Sequence, residues 1–287
     1  MYTAKIENAK GEILQLSGNE TEYQVTSITG LNPPNAQINT ATVVGLDGER
    51  YNSARLEMRN IVITMRINGN VEANRQKLYR FFPTKQWCRF YFKNENRDVY
   101  IDGYVETVEV ALFSKSEKMQ VSILCPQPFF KALDGIIDDI SKVMPAFTFP
   151  FTINYGEPVV ISRLDAGKVT NVRNDSETET GMTIEISFRL AMSSVRIWNT
   201  ETGESFGLSY NFMPGDVVRI DTNKGQKSVT LVRSATSTNL FTAMQAGSVF
   251  FQLEMGDNYF TYKADSDGVN DGYVTILFIH NTVYRGV

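Results

Sequence analysis

The sequence predicts an all-β fold divided into two domains, and three observations carry that reading. Apolar and polar residues alternate at period two in run after run, Gly, Asn and Asp separate the runs, and one segment alone carries helical spacing. "IEISFRL" is the clearest run. Ile184, Ile186, Phe188 and Leu190 share one face while Glu185, Ser187 and Arg189 share the other, the pattern of a half-buried antiparallel strand. "NIVITMRI", "VYIDGYVETVEVALF" and "YVTILFIH" repeat the pattern, and "LDGE", "TETGE", "MPGD", "TNKG" and "DSDGVNDG" supply turn residues between strands. The long run from Val99 to Phe113 is the candidate for a projecting or edge hairpin.

The helical exception is "NVEANRQKLYRFFP". Val71, Leu78, Tyr79 and Phe82 fall near one helical face, Asn70 is available as the N-cap, Glu72 sits in the first turn and Pro83 closes the end. A short amphipathic helix is therefore expected to cover one face of a sheet. After "ILCPQPFF" the character changes: "KALDGIIDDISKVMPAFTFPFTINYGEP" scatters acids and then places Pro145, Pro150 and Pro158. Proline fixes φ and removes a ladder donor, so this stretch reads as a stiff connector. The expected division is a first domain over 1–132, a linker over 133–150 and a second domain over 151–287.

Composition narrows the function classes. A net charge of -4 without basic clusters gives no nucleic-acid surface. The amino-terminal stretch mixes charges where a secretion signal needs an unbroken apolar core, and the most apolar segment, "VMPAFTFPFTI", is short and holds two prolines; a soluble protein made in the cytosol is expected. Cys88 and Cys125 lie in apolar or aromatic runs without zinc spacing and read as small buried hydrophobes of a reducing compartment.

Motifs that hint at chemistry each have a plainer explanation. "PGDVVRIDTNKGQKSVTL" carries Lys227 and Ser228, but Gln226 precedes the lysine and Asp221 occupies the place of a phosphate loop's first glycine, so a hairpin with its turn at Asn223, Lys224 and Gly225 fits better. His280 is the chain's one histidine, in phase with Val274, Ile276 and Phe278, with no triad pattern near it. Asp265, Asp267, Asn270 and Asp271 offer oxygen ligands. Yet Val269, Asn270 and Ile276 stand where a calcium loop needs a ligand, a glycine and a glutamate, so an acidic hairpin loop is the simpler reading. Glu106 with Glu109 and Asp138 with Asp139 are neighbours along the chain rather than acids facing across a cleft. Trp198, Tyr210, Phe212, Tyr259 and Tyr262 could form a sugar-stacking platform or simply pack. No catalytic, cofactor-binding or metal-ligating residue is assigned.

"GLNPPNAQINTATVVGLDGERYNSARLEMRNIVITMRI" resembles the opening region of the distal tail proteins of long-tailed bacteriophages. The resemblance rests on Pro33 and Pro34, on the turn at Gly45, Asp47 and Gly48, and on Arg59 and Asn60. It extends through "YRFFPTKQWCRFYF", "YIDGYVETVEVALFSKSEKMQVSILCPQPFF", "FMPGDVVRIDTNKGQKSVTL" and "LEMGDNYFTYKAD", nearly the whole chain. It implies a first β-sandwich with an appended helix and a projecting hairpin that builds a ring of six-fold symmetry, a homohexamer, and a second, galectin-like β-sandwich facing outward. It also implies a non-enzymatic virion hub with no cofactor, assembled in the bacterial cytoplasm. Such a hub touches the tail tube protein and the adhesion or receptor-binding proteins. The competing reading is a carbohydrate-binding module recognising host surface glycans through the second domain.

Overall fold

Period-two alternation is realised as strands nearly throughout the computed structural model, which describes residues 2–18, 22–45, 47–111, 117–140, 143–145, 162–164, 169–265 and 273–287. In chain order these are β1 (Thr3–Asn8), β2 (Ile13–Gln15), β3 (Tyr23–Thr29), β4 (Ala36–Thr42), β5 (Glu49–Leu56), β6 (Arg59–Ile67), α1 (Val71–Phe81), β7 (Trp87–Lys93), β8 (Asp98–Val110), β9 (Lys118–Cys125) and β10 (Phe130–Asp139). Then come β11 (Val143–Pro145), β12 (Ser162–Leu164), β13 (Thr170–Asn174), β14 (Thr183–Phe188), β15 (Met192–Asn199) and β16 (Ser205–Phe212). The last are β17 (Val217–Asp221), β18 (Ser228–Arg233), β19 (Thr236–Asn239), β20 (Gly256–Ala264) and β21 (Val274–Tyr284). Two units result: Met1–Leu133 together with Val283–Val287, and Asp134–Thr282. The stretch read from sequence as a linker thus opens inside a strand, β10, and residues 146–150 lie outside the described residues.

In the first unit the sheet runs β2–β1–β7–β8 and continues through β9–β6–β3. β8 belongs to both stretches. Its first half pairs with β7 and its second half with β9, with a register shift between Val105 and Thr107 where it turns. Gly103 makes the turn possible, since a Cβ there would meet Ile123 Cγ2 at 2.7 Å and Cys125 Sγ at 2.8 Å. The first half of the run from Val99 to Phe113 is therefore central, with Val99, Ile101 and Val105 buried, whereas residues 106–110 pair with β9 alone among the described residues and are exposed or half-buried, the edge position that the sequence suggested. Residues 112 and 113 lie outside the described residues.

The helix forms where its signals put it. Asn70 Oδ1 accepts from the Ala73 amide at 3.3 Å, Glu72 and Arg80 complement the two ends of the helix dipole, and Leu78, Phe81 and Phe82 enter the core with Ile61, Ile63 and Met65.

Alternation also carries a charge inward. Arg59 stands on the same face of β6 as Ile61, Ile63, Met65 and Ile67, and only 3 % of it is exposed. Among the described residues no carboxylate answers it. Instead its guanidinium donates to four backbone carbonyls, those of Pro128 (2.7 Å), Asn32 (2.5 Å), Arg285 (2.6 Å) and Gly30, and lies over the Phe130 ring at 4.5 Å. Burial lowers its pKa by desolvation. Gly30 has φ +85°, and a Cβ there would sit 2.0 Å from the Asn60 carbonyl oxygen, so only glycine brings this carbonyl so near. The chain end completes the knot: the Val287 amide donates to Leu31 O at 3.1 Å, Gly286 packs on Pro33, and Arg97 covers the Tyr284 ring at 4.3 Å and donates to Gly286 O.

The second unit is a two-layer sandwich. One sheet contains β19–β18–β17–β14–β21–β10 and the other β13–β20–β15–β16. Ile184, Ile186, Val218, Ile220, Ile276 and Phe278 from the first layer meet Val195, Ile197, Phe206, Leu208 and Phe260 from the second. The hairpin expected around Gly225 is present, with Asp221 opposite Ser228. Leu190 differs from expectation: β14 stops at Phe188, whose backbone turns to Gly215 and Asp216, and Leu190 is exposed. Asp216, buried at the start of the β17–β18 hairpin, accepts a two-point ion pair from Arg233 (2.8 and 2.5 Å) and the Met213 amide at 2.8 Å.

Three outcomes follow from these packings. Arg59→Met is expected to cost about 2–4 kcal/mol in urea unfolding, because the carbonyls it served are left without a donor; a loss below about 0.5 kcal/mol would show the cluster to be dispensable. Arg233, and after it the Met213 amide, holds the Asp216 carboxyl below its ordinary range. The folded pKa being depressed, this stabilisation is complete above about pH 4 and fades as pH falls through the lowered value. Acid unfolding of Asp216→Asn should lack that component, and an unchanged acid limb would contradict it. Finally, burial pushes the Cys88 and Cys125 thiols up to about 12. Thiol reagents at about pH 8 should label neither in the native protein and both after unfolding.

Candidate functional site

β4 and β5 form a two-stranded sheet of their own, antiparallel, with Ala36 opposite Leu56, Ile38 opposite Ala54 and Thr40 opposite Tyr51. Residues directly opposite share a face, so the hairpin is two-sided. One side carries Ala36, Ile38, Tyr51, Ala54 and Leu56. The other carries Gln37, Asn39, Ser53 and Arg55, joined by Arg55 Nε to Gln37 Oε1 (2.8 Å) and Asn39 Nδ2 to Ser53 Oγ (3.1 Å). The apolar side faces no core: Ile38 is 60 % exposed, Tyr51 62 % and Leu56 44 %. Val44 at the tip is fully exposed and Met58 at the base is 58 % exposed. A lone hairpin is marginal in water, and an ordered apolar face left open is the mark of an interface.

The base of this hairpin is fixed by the arginine cluster. Gly30 and Asn32, just before β4, and Arg59, just after β5, are the groups that meet there, and the Glu57 amide donates to Asn35 O at 2.8 Å. Sequence reading placed a projecting or edge hairpin at Val99–Phe113; the hairpin that stands as a sheet of its own is Ala36–Leu56. Its signal in the sequence was the turn at Gly45, Asp47 and Gly48, with φ +86° and +89° at the two glycines.

Residues considered for chemistry are dispersed. His280 lies on the inner face of β21, its ring buried, with Nε2 3.3 Å from Asp138 Oδ2, and Nδ1 makes no hydrogen bond among the described residues. Glu106, on β8, accepts from Ser122 Oγ at 2.8 Å in the first unit, whereas Asp138 belongs to the second. Among the described residues no three His, Cys, Asp or Glu side chains are placed to hold a metal ion. Of the acidic loop, only Asp265 is described, and its carboxylate accepts from Ser193 N (2.8 Å) and Ser193 Oγ (2.9 Å); Asp267, Asn270 and Asp271 lie outside the described residues. Lys227 sits over the Phe250 ring at 5.3 Å, beside a hairpin and not at a helix start.

The aromatic platform is divided by the pleat. Phe212 and Tyr262 are core residues, Trp198 and Tyr259 lie on the outer face of the β13–β20–β15–β16 sheet, and Tyr210 sits at the margin of the core against Phe212. The five therefore do not make one surface.

Comparison with known proteins gives a consistent picture. Residues 16–125 match the family described as phage tail protein RIFT-related domain, and residues 175–278 match the siphovirus-type tail component, C-terminal domain. The chain is similar in fold to the crystal structure of the Dit protein of phage SPP1, titled a paradigm of the hub adsorption apparatus in phages infecting Gram-positive bacteria. The TM-score is 0.68 at 14 % identity, covering 98 % of this chain and 99 % of that one. It is also similar to a chain of the phage P2 baseplate in its activated conformation with Ca (TM-score 0.56, 13 % identity, 98 % of each chain). A chain of the same baseplate with Sr gives 0.56 at 12 % identity, again with 98 % of each chain covered. No curated protein sequence matches the chain. With a tail-protein domain in each unit and the fold of a phage distal tail protein from end to end, the chain belongs to the distal tail protein family of siphophages.

Proposed function

We propose that this protein is a structural hub subunit whose copies close into a ring, hexameric on the pattern of the family resemblance. The ring stands at the distal end of the tail and joins the tail tube to the baseplate or host-adhesion apparatus. Its work is assembly, with no reaction catalysed, and it takes place first in the host cytoplasm and then in the virion. The first domain, 1–132, builds the ring; the second, 151–287, faces outward, with 133–150 between them.

The observation that carries this reading is the uncovered apolar side of the Ala36–Leu56 hairpin. A closed ring needs a heterologous interface, in which one patch fits a different patch on the next copy. A projecting two-sided hairpin supplies one half of such a joint. Burying Ile38 and Tyr51 against a neighbour is worth about 1.5–3 kcal/mol each, so their loss weakens each junction roughly a hundredfold or more. The likeness to hub and baseplate chains supports the same role.

Ile38→Glu combined with Tyr51→Glu is expected to leave a folded monomer in analytical ultracentrifugation and no annular particles in electron micrographs. Gln37→Ala, on the polar side, should leave assembly intact. A wild-type protein that stays monomeric at high concentration with its tail tube protein present, or a double variant that still forms rings, would overturn the reading.

A further inference from the structure

One sheet of the second unit ends at β19, and every residue of that strand, Thr236 to Asn239, is exposed. Ser234 and Ala235 bring it there. They form the two-residue turn between β18 and β19, and both are left-handed, with φ +48° and +66°, although neither is glycine. Such backbone is strained in a residue that has a Cβ, so the chain maintains a strained turn to align a strand that buries none of its own side chains.

β18 engages only alternate residues of β19. The Leu240 amide donates to Val229 O at 2.9 Å, and the register sets Thr238 opposite Leu231 and Thr236 opposite Arg233. Bonded pairs in an antiparallel ladder recur at every second residue, so Thr236 and Thr238 turn their main chain towards β18 while Ser237 and Asn239 turn N–H and C=O outward. The Asn239 side chain is occupied by the Phe241 amide (2.8 Å), and among the described residues nothing bonds the outward main-chain groups.

An open edge invites another strand, and proteins guard against it. β2 is three residues long, β3 is interrupted by a bulge between Val25 and Ser27, and β13 carries Arg173 in an ion pair with Asp175. β16 is covered, since the Gln245 and Val249 amides donate to Gly207 O and Ser205 O. β19 has none of these protections: it holds no charge, no proline and no bulge.

We propose that β19 pairs with β19 of a second copy of this chain, antiparallel about a two-fold axis. The register is self-complementary. Turning one copy over sets Ser237 against Asn239 of the other and Asn239 against Ser237, so every open N–H meets an open C=O. Thr238 then falls opposite itself at a non-hydrogen-bonded position, where Cα atoms approach to about 4.5 Å and threonine pairs are favourable. A strand without charge gives an acidic or basic partner nothing to select, whereas its own copy brings no repulsion. The contact uses the same patch on both copies, so it is distinct from the heterologous joint at the hairpin and forms in chains that cannot close a ring.

The test uses the full chain with Ile38→Glu and Tyr51→Glu, so that joints at the hairpin do not contribute, and adds Thr238→Cys. The native Cys88 and Cys125 are buried. With oxidised glutathione, Thr238→Cys should give a disulfide-linked dimer at least about tenfold faster than Thr236→Cys, because only a residue on the axis meets its own copy at disulfide distance. Ser237→Pro removes an outward N–H and leaves the β18 ladder whole; added to Thr238→Cys, it should lower the rate to that of Thr236→Cys. The proposal is overturned if the two cysteine variants link at equal rates or if Ser237→Pro changes nothing. It is overturned equally if an unrelated threonine-rich peptide bearing one cysteine links to Thr238→Cys as readily as a second copy does, since the edge would then accept any strand.

Discussion

A single buried cation organises the first unit. Arg59 occupies a core position of β6 and meets no acid among the described residues, so the cost of removing its charge from water is offset by the carbonyls that converge on it and by the Phe130 ring. Those four carbonyls come from three separate places: the loop before the hairpin at Gly30 and Asn32, the approach to β10 at Pro128, and the segment after β21 at Arg285. Any one of them displaced would leave a buried donor unmet. The hairpin therefore projects from a rigid root, although its own faces touch little.

The second unit reaches rigidity by another route. Its two sheets bury a continuous aromatic and aliphatic layer, and ring packing passes from Phe188 through Phe212 to Tyr210 at the surface. Asp216 belongs to the same logic as Arg59, a buried charge that pins a neighbouring segment, but here the partner is a side chain that itself reaches solvent. One charged group ties backbone together and the other presents a guanidinium.

How much of this could be read from the residues depended on where the information resides. Strands with one buried face announce themselves by alternation, which is why β6, β14 and β21 were legible, and α1 declared both its ends through Asn70, Glu72 and Pro83. The same rule missed the hairpin that stands alone. Alternation measures burial within the chain, so it singled out β8, whose first half is central, and passed over β4 and β5, whose apolar side is small, mixed with Thr and Asn, and broken by a bulge at Asn39 and Thr40. The Arg59 cluster left still less trace. Its acceptors are main-chain oxygens, which every residue owns, so only the Arg59–Asn60 pair and the Gly30 turn hinted at it. Likewise, the outward turn of Ser237 and Asn239 follows from register with β18, which no local pattern encodes.

The membership of Val283–Val287 in the first unit bears on how the protein folds. Arg285 follows its partner Arg59 by 226 residues. Bringing that carbonyl to the guanidinium closes a far longer loop than Gly30, Asn32 or Pro128 requires, and the entropy of closure rises with loop length. The root of the hairpin thus depends on a contact that local folding cannot supply, which makes it slow to complete by topology alone.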